Sequence, residues 1–381
     1  MRQAFALALA LGTALGAGAC GENRNNDLPG ADAGSVDAPG GDGPNTNSND
    51  GPAAGNPDGK YPVPAEARAE DSSHPRTVVG SGTKESCTGD AFVAAVAKGG
   101  VITFSCGTDP VTITLSSTAK IVNDTGPKIV IDGAGKVTLS GGGKIRILYM
   151  NACDPDQVWT SNDCNNQATP ALTLQNLSFV DGNAKGLETK DNNGGGGAVY
   201  ARGGRLKIVN SRFFANVCDD LGSDVGGGAI RVLDFPTGGS QSRPVYIVGS
   251  TFGGAGALGN GCANGGAISS IGTSYTVFNS LFQGNHAVGH GANSGQGGNG
   301  GAIYNDGNTY TLSLYGTRIE DNHANEGGSA IFFVSNDKTG SLVINDSTLR
   351  HNPRGTFETS GYPGIFVQAK GAPEVTNSTI E

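Results

Sequence analysis

The chain has 381 residues, 64 of them glycine, only 6% aromatic residues and a formal net charge of −9. So acidic a chain lacks the basic footprint that nucleic-acid binding needs. Low aromatic content also mildly disfavours strong sugar stacking, and the negative charge disfavours a polyanionic ligand unless calcium intervenes.

Met1-Arg2 gives a positive start, and the apolar run Ala4 to Gly16 is too short to anchor in a bilayer. Residues 1–19 therefore read as a signal peptide. Ala17-Gly18-Ala19-Cys20 resembles the bacterial lipobox, with alanine where leucine is more usual. The resemblance implies a lipidated Cys20 and a membrane partner through that lipid; the alternative is cleavage after Ala19 and a free thiol. Residues 20–76 are low-complexity, and Gly21 to Gly59 carries seven acids and one base. Such a segment buries too little surface to offset chain entropy, so it is expected to be a disordered linker, its ends about 40 Å apart as a flexible coil.

The folded part, residues 77–381, opens on one helical stretch, Asp90 to Ala97, with Asp90 as N-cap and Gly99-Gly100 as stop. This helix is expected to cap the exposed end of the strand-rich region after it. Strands are predicted at Val101 to Ser105, Val111 to Leu115, Ile129 to Asp132 and Lys136 to Leu139. From Asn176 onward two phrases recur. Gly-Gly-Ala-Ile or a variant ends at Val199, Ile230, Ile268, Ile303 and Ile331; Asn-Ser-x-Phe or a variant places Phe179, Phe213, Phe252, Phe282, Ile319, Leu349 and Ile380. Those seven anchors lie 34, 39, 30, 37, 30 and 31 residues apart, a solenoid signature. Short alternating β-branched segments, with no 3.6-residue apolar period, select strands over helices. The expectation is an all-β, right-handed parallel β-helix with a short N-terminal capping helix. Like positions stack, and Asn216, Asn260, Asn285, Asn322 and Asn352 form an amide ladder at a turn. The last strand, ending at Glu381, stops inside a repeat, which reads as a truncated chain or an edge awaiting a partner.

Gly-Gly-Ala-[Ile/Val] with Phe-x-x-Asn, seen in Phe213-Phe214-Ala215-Asn216 and Phe282-Gln283-Gly284-Asn285, resembles the repeats of polymorphic outer membrane proteins. These belong to the broader pectin-lyase-like β-helix group, which hosts lyases, hydrolases, adhesins and passive stalks.

Six cysteines remain after Cys20, an even number in an exported protein. Cys218 and Cys262 hold the same repeat position in neighbouring rungs, about 5 Å apart, within reach of a disulfide; buried free thiols are the alternative. Cys153 with Cys164 closes a loop, and Cys87 with Cys106 pins the cap. Four constellations bear on chemistry. Asp219, Asp220 and Asp224 on one loop suit Ca²⁺, or form a solvated acidic loop. Gly289-His290-Gly291 resembles the Gly-His-Gly of polygalacturonases, without that group's other motifs. His286 and His323 stack and suit a shared metal with Asp321 or Glu326, or form an exposed ladder. Trp159 suits stacking on a sugar, or packs on the coil. The expected function is adhesion or binding of extracellular polysaccharide or surface-protein ligands from the outer membrane or cell surface. The alternative is a calcium-assisted polysaccharide lyase, or a hydrolase, whose basic side chain faces two or more acids across adjacent rungs.

Overall fold

Level upon level, the anchor residues meet their counterparts: Phe179, Phe213, Phe252, Phe282, Ile319, Leu349 and Ile380 pair in unbroken register. The computed structural model describes residues 53–157, 162–187, 194–235 and 243–381. The four phenyl rings are fully buried and stack with centroids 4.8, 4.8 and 4.7 Å apart and planes within 6°. That is the spacing of hydrogen-bonded strands, about 4.8 Å, carried into the core. Val199, Ile230, Ile268, Ile303 and Ile331 make a second inward column. Leu148 and Ile365 extend it by one level at each end, although neither follows a Gly-Gly-Ala phrase. Among the described residues the strands form sheets of 17, 8 and 3 members. The fold is a parallel β-helix.

The local chemistry explains both phrases. In Asn-Ser-x-Phe the first residue turns the corner in the left-handed region: φ is 46–58° at Asn210, Gly249, Asn279, Gly316, Asp346 and Asn377. Asn, Asp and Gly tolerate that conformation best. The hydroxyl of the next residue accepts from the backbone one level below, as Ser250 does from Ser211 and Ser280 from Ser250, both at 3.1 Å. The ring then points inward. In Gly-Gly-Ala-Ile the first glycine takes φ of 54–76° at Gly196, Gly227, Gly265 and Gly300. The second lies directly under the next level's backbone, so a Cβ on Gly228 would collide with the Gly266 carbonyl.

The helix α1 (Gly89–Lys98) buries Phe92, Ala95 and Val96 against the first rungs. Its N-cap is Thr88, whose Oγ1 accepts from the Ala91 amide at 3.2 Å, rather than Asp90, which sits in the first turn. Ile129 to Asp132 and Lys136 to Leu139 belong to one long strand, Lys128–Ser140, with a register shift between Asp132 and Val137.

The linker expectation is corrected for residues 53–76; residues 20–52 lie outside the described residues. Residues 53–76 lie in an ordered course along the outside of the 17-stranded sheet. Composition misled because a few side chains suffice: Ala67 is fully buried, and Tyr61 stacks on Tyr315 at 4.6 Å. Their apolar seat is an outer column, Val209, Val248, Phe278 and Tyr315.

Candidate functional site

The strap formed by residues 53–76 runs along one column of outward-facing residues down the coil. That column reads Tyr315, Phe278, Val248, Val209, Gln175 and Asp132, each paired with the next. At its upper end the Asn279 side chain binds the Tyr61 main chain twice, Oδ1 accepting from the amide at 2.8 Å and Nδ2 donating to the carbonyl at 2.9 Å. Asp58 pairs with Arg318. Lower down, Gln175 does the same for Glu70, accepting from its amide at 2.8 Å and donating to its carbonyl at 3.0 Å. Asp132 braces this amide, taking Gln175 Nε2 at 2.8 Å and the Ser72 hydroxyl at 2.7 Å on the same oxygen. Burial alone would push the Asp132 carboxyl up, but hydrogen bonds from Asn176, Gln175, Ser72 and the Ala134 amide outweigh it and hold it below its ordinary range.

Beside the strap lies a groove of about 380 Å³. Its floor is low because Ala171 and Thr173 are small. Lys128, Arg205, Lys207 and Tyr246 rise around them, and Glu66 and Glu70 lie on the strap. The register accounts for the clustering: Lys128, Ala171 and Arg205 are one outer column, and Thr173, Lys207 and Tyr246 another. Glu70 pairs with both Lys128 and Lys207. Partial burial would raise its carboxyl, but the hydrogen bonds and charges of the two ammonium groups lower it on balance. A carboxylate held down in the folded chain stabilises above its unfolded pKa, and that stability is lost as pH falls through the folded value. Acid should therefore loosen the strap first. Limited proteolysis at falling pH should cut within residues 53–76 while the coil remains resistant, and Glu70→Gln should lessen the pH dependence of that cutting, leaving the share carried by Asp132.

Lys128, Arg205 and Lys207 were missed in the sequence, where each looks like an ordinary outward residue of an alternating strand. The signal, had it been weighed, was Lys128 and Arg205 at the same outer position two rungs apart, with Lys207 two residues further along the strand of Arg205.

Of the residues nominated from sequence, Cys20 and Trp159 lie outside the described residues. Disulfides join Cys87 to Cys106, Cys153 to Cys164 and Cys218 to Cys262, with Cα atoms 5.6, 5.0 and 4.8 Å apart. The three loop carboxylates have separate duties. Asp219 accepts from the Gly186 amide at 2.7 Å, Asp220 pairs with Lys185 at 2.8 Å, and Asp224 is exposed. Among the described residues no group of three or more His, Cys, Asp or Glu side chains is placed to hold a metal ion. The calcium set expected from Asp219, Asp220 and Asp224 is therefore not assembled.

His286 and His323 are register partners as expected, exposed, with rings 6.4 Å apart and tilted 45°. Desolvation, and then the neighbouring His323, lower the His286 pKa. The acids proposed to join them go elsewhere: Asp321 lies 3.5 Å from His351, and Glu326 binds the Gly291 amide and Thr356. The shared-metal reading fails, and the exposed ladder remains. His290 sits 3.4 Å from Asn325.

No family model matches the chain, and no curated protein does. Among solved structures it is similar to the crystal structure of Escherichia coli YbhC, at 14% identity, over 84% of this chain and 87% of that one, with a TM-score of 0.33.

Proposed function

We propose that this protein is an exported lipoprotein, held at the outer membrane or cell surface by a lipid on Cys20, whose β-helix binds extracellular glycan or protein ligands. The observation that carries this reading is the groove beside the strap. It is open and partly apolar, and converging Lys128, Arg205, Lys207 and Tyr246 surround a low floor, the usual make-up of a ligand site. Three disulfides are compatible with export. The likeness of the repeats to polymorphic outer membrane proteins and the pectin-lyase-like group supports the surface location.

Calorimetric titration with a panel of anionic and neutral polysaccharides and acidic peptides tests the groove. An Arg205→Ala, Lys207→Ala double variant should weaken the best ligand at least about tenfold, the equivalent of about 1.4 kcal/mol. Added salt should weaken the unmodified protein's binding as well. Binding that ignores both changes would place the ligand elsewhere and sink the groove.

One observation favours the lyase as a second reading: Lys185 meets Asp220 and lies next to Gly186, whose amide Asp219 accepts, across adjacent rungs. If polygalacturonate in that panel yields ultraviolet-absorbing unsaturated ends, and an Asp219→Ala, Asp220→Ala double variant abolishes them, the binding role gives way to catalysis.

A further inference from the structure

The way the coil holds the strap resembles peptide recognition more than the closing of a sheet. Residues 53–76 add no strand to the ladder; pairing begins only at Thr77. Apart from a main-chain bond from the Asn56 amide to the Asn279 carbonyl at 2.8 Å, the strap between Ala53 and Ser72 is gripped by side chains of the coil. Asn279 and Gln175 each clasp one residue's amide and carbonyl, at Tyr61 and Glu70. Near the start Thr251 bridges two residues of the main chain, accepting from the Gly55 amide and donating to the Ala53 carbonyl. Such two-point contacts suit a peptide main chain, which offers an N–H and a C=O at every residue but proline. The remaining contacts read side chains: Arg318 takes Asp58, the Phe278 and Tyr315 rings take Tyr61, Val209 and Val248 take Ala67, and Lys128 with Lys207 takes Glu70.

We infer that this outer face is a binding site for an extended acidic peptide, filled in the resting chain by its own residues 53–72. The partner it fits presents an acid, an aromatic residue three positions on, a small residue six further and a second acid three further, the spacing of Asp58, Tyr61, Ala67 and Glu70. This rests on the ligand-binding reading above and names the ligand class. The tethered strap acts at an effective concentration in the millimolar range, so a free peptide competes poorly until the tether is cut.

The test uses the full chain with a protease site inserted at the exposed Ser73-His74. After cleavage, the strap should stay with the coil through gel filtration, and a labelled synthetic peptide of residues 53–72 should exchange into its place. A peptide carrying Asp58→Lys, Tyr61→Ala and Glu70→Lys should compete at least about tenfold more weakly, and from an Asn279→Ala, Gln175→Ala coil the cut strap should dissociate at least about tenfold faster. Three results would overturn the inference: no exchange while circular dichroism shows the coil intact, equal competition by the altered peptide, or collapse of the coil on cutting, which would make the strap part of the core. If polygalacturonate displaces the strap and the peptide does not, the face is a glycan site; the peptide claim falls while the ligand-binding role stands.

Discussion

Phe252→Ala should destabilise the coil by about 3–5 kcal/mol, the range for truncating a buried phenylalanine. The ring is fully buried, with Phe213 at 4.8 Å on one side and Phe282 at 4.7 Å on the other. Truncation therefore opens a gap in the middle of a stack and removes two ring pairs, each worth about 0.5–1.5 kcal/mol beyond area burial. Neighbouring levels cannot close the gap, because their separation is fixed by strand hydrogen bonds. In a solenoid each level touches only its neighbours, so the loss should be felt locally before it is felt globally. Urea unfolding should show the lower midpoint. Hydrogen exchange should show lost protection concentrated at Arg212–Phe214, Thr251–Gly253 and Leu281–Gln283, the three strands carrying those rings. Phe252→Leu should recover most of the loss, since Ile319 and Leu349 already serve at that position in later levels. A Phe252→Ala protein as stable as the parent would remove the stacked core as the source of stability.

Asn285→Ala should cost about as much by a different route. Asn285 Oδ1 accepts from the Asn260 amide at 3.1 Å and its side-chain Nδ2 at 2.9 Å, while its own Nδ2 donates to Asn322 Oδ1 at 2.8 Å and the Phe252 carbonyl at 3.0 Å. Alanine leaves the Asn260 amide without its acceptor in a fully buried place, and each orphaned buried group costs about 1–3 kcal/mol. Asn285→Asp separates the donor from the acceptor. It keeps the oxygen facing Asn260 but turns a second oxygen toward the Asn322 and Phe252 acceptors, so the neutral carboxyl is favoured and its folded pKa should rise. With the folded pKa above the unfolded one, the variant should be nearest the parent in acid and lose stability as pH climbs through its unfolded and then its folded pKa. A pH-independent loss in Asn285→Asp would show that the ladder is not read by charge in this way.

Much of this architecture is legible in the residues themselves because a parallel coil repeats one environment at every level. Phe213, Phe252 and Phe282 fill the same inward slot, so sequence spacing alone aligns them, and the Cys218–Cys262 pairing comes from the same alignment. The amide ladder is legible for that reason too. The rungs at Leu148 and Ile365 are not, since their strands pair through backbone that carries no Gly-Gly-Ala phrase.

The groove and the strap were decided only by tertiary structure. Lys128, Arg205 and Lys207 are ordinary charged residues on alternating strands until register sets Lys128 in the column of Arg205, two levels away across the small Ala171, with Lys207 beside Arg205 on its strand. Tyr61, Ala67 and Glu70 sit in a stretch whose composition argues for disorder, and composition averages over the few side chains that find seats. The same averaging misled in the other direction for the loop acids, where Asp219 and Asp220 are near in sequence but are already committed to Gly186 and Lys185. Periodic burial is written along the chain, one residue type per slot. Contacts between an aperiodic segment and a periodic surface depend on where two distant stretches cross, and no local pattern encodes that.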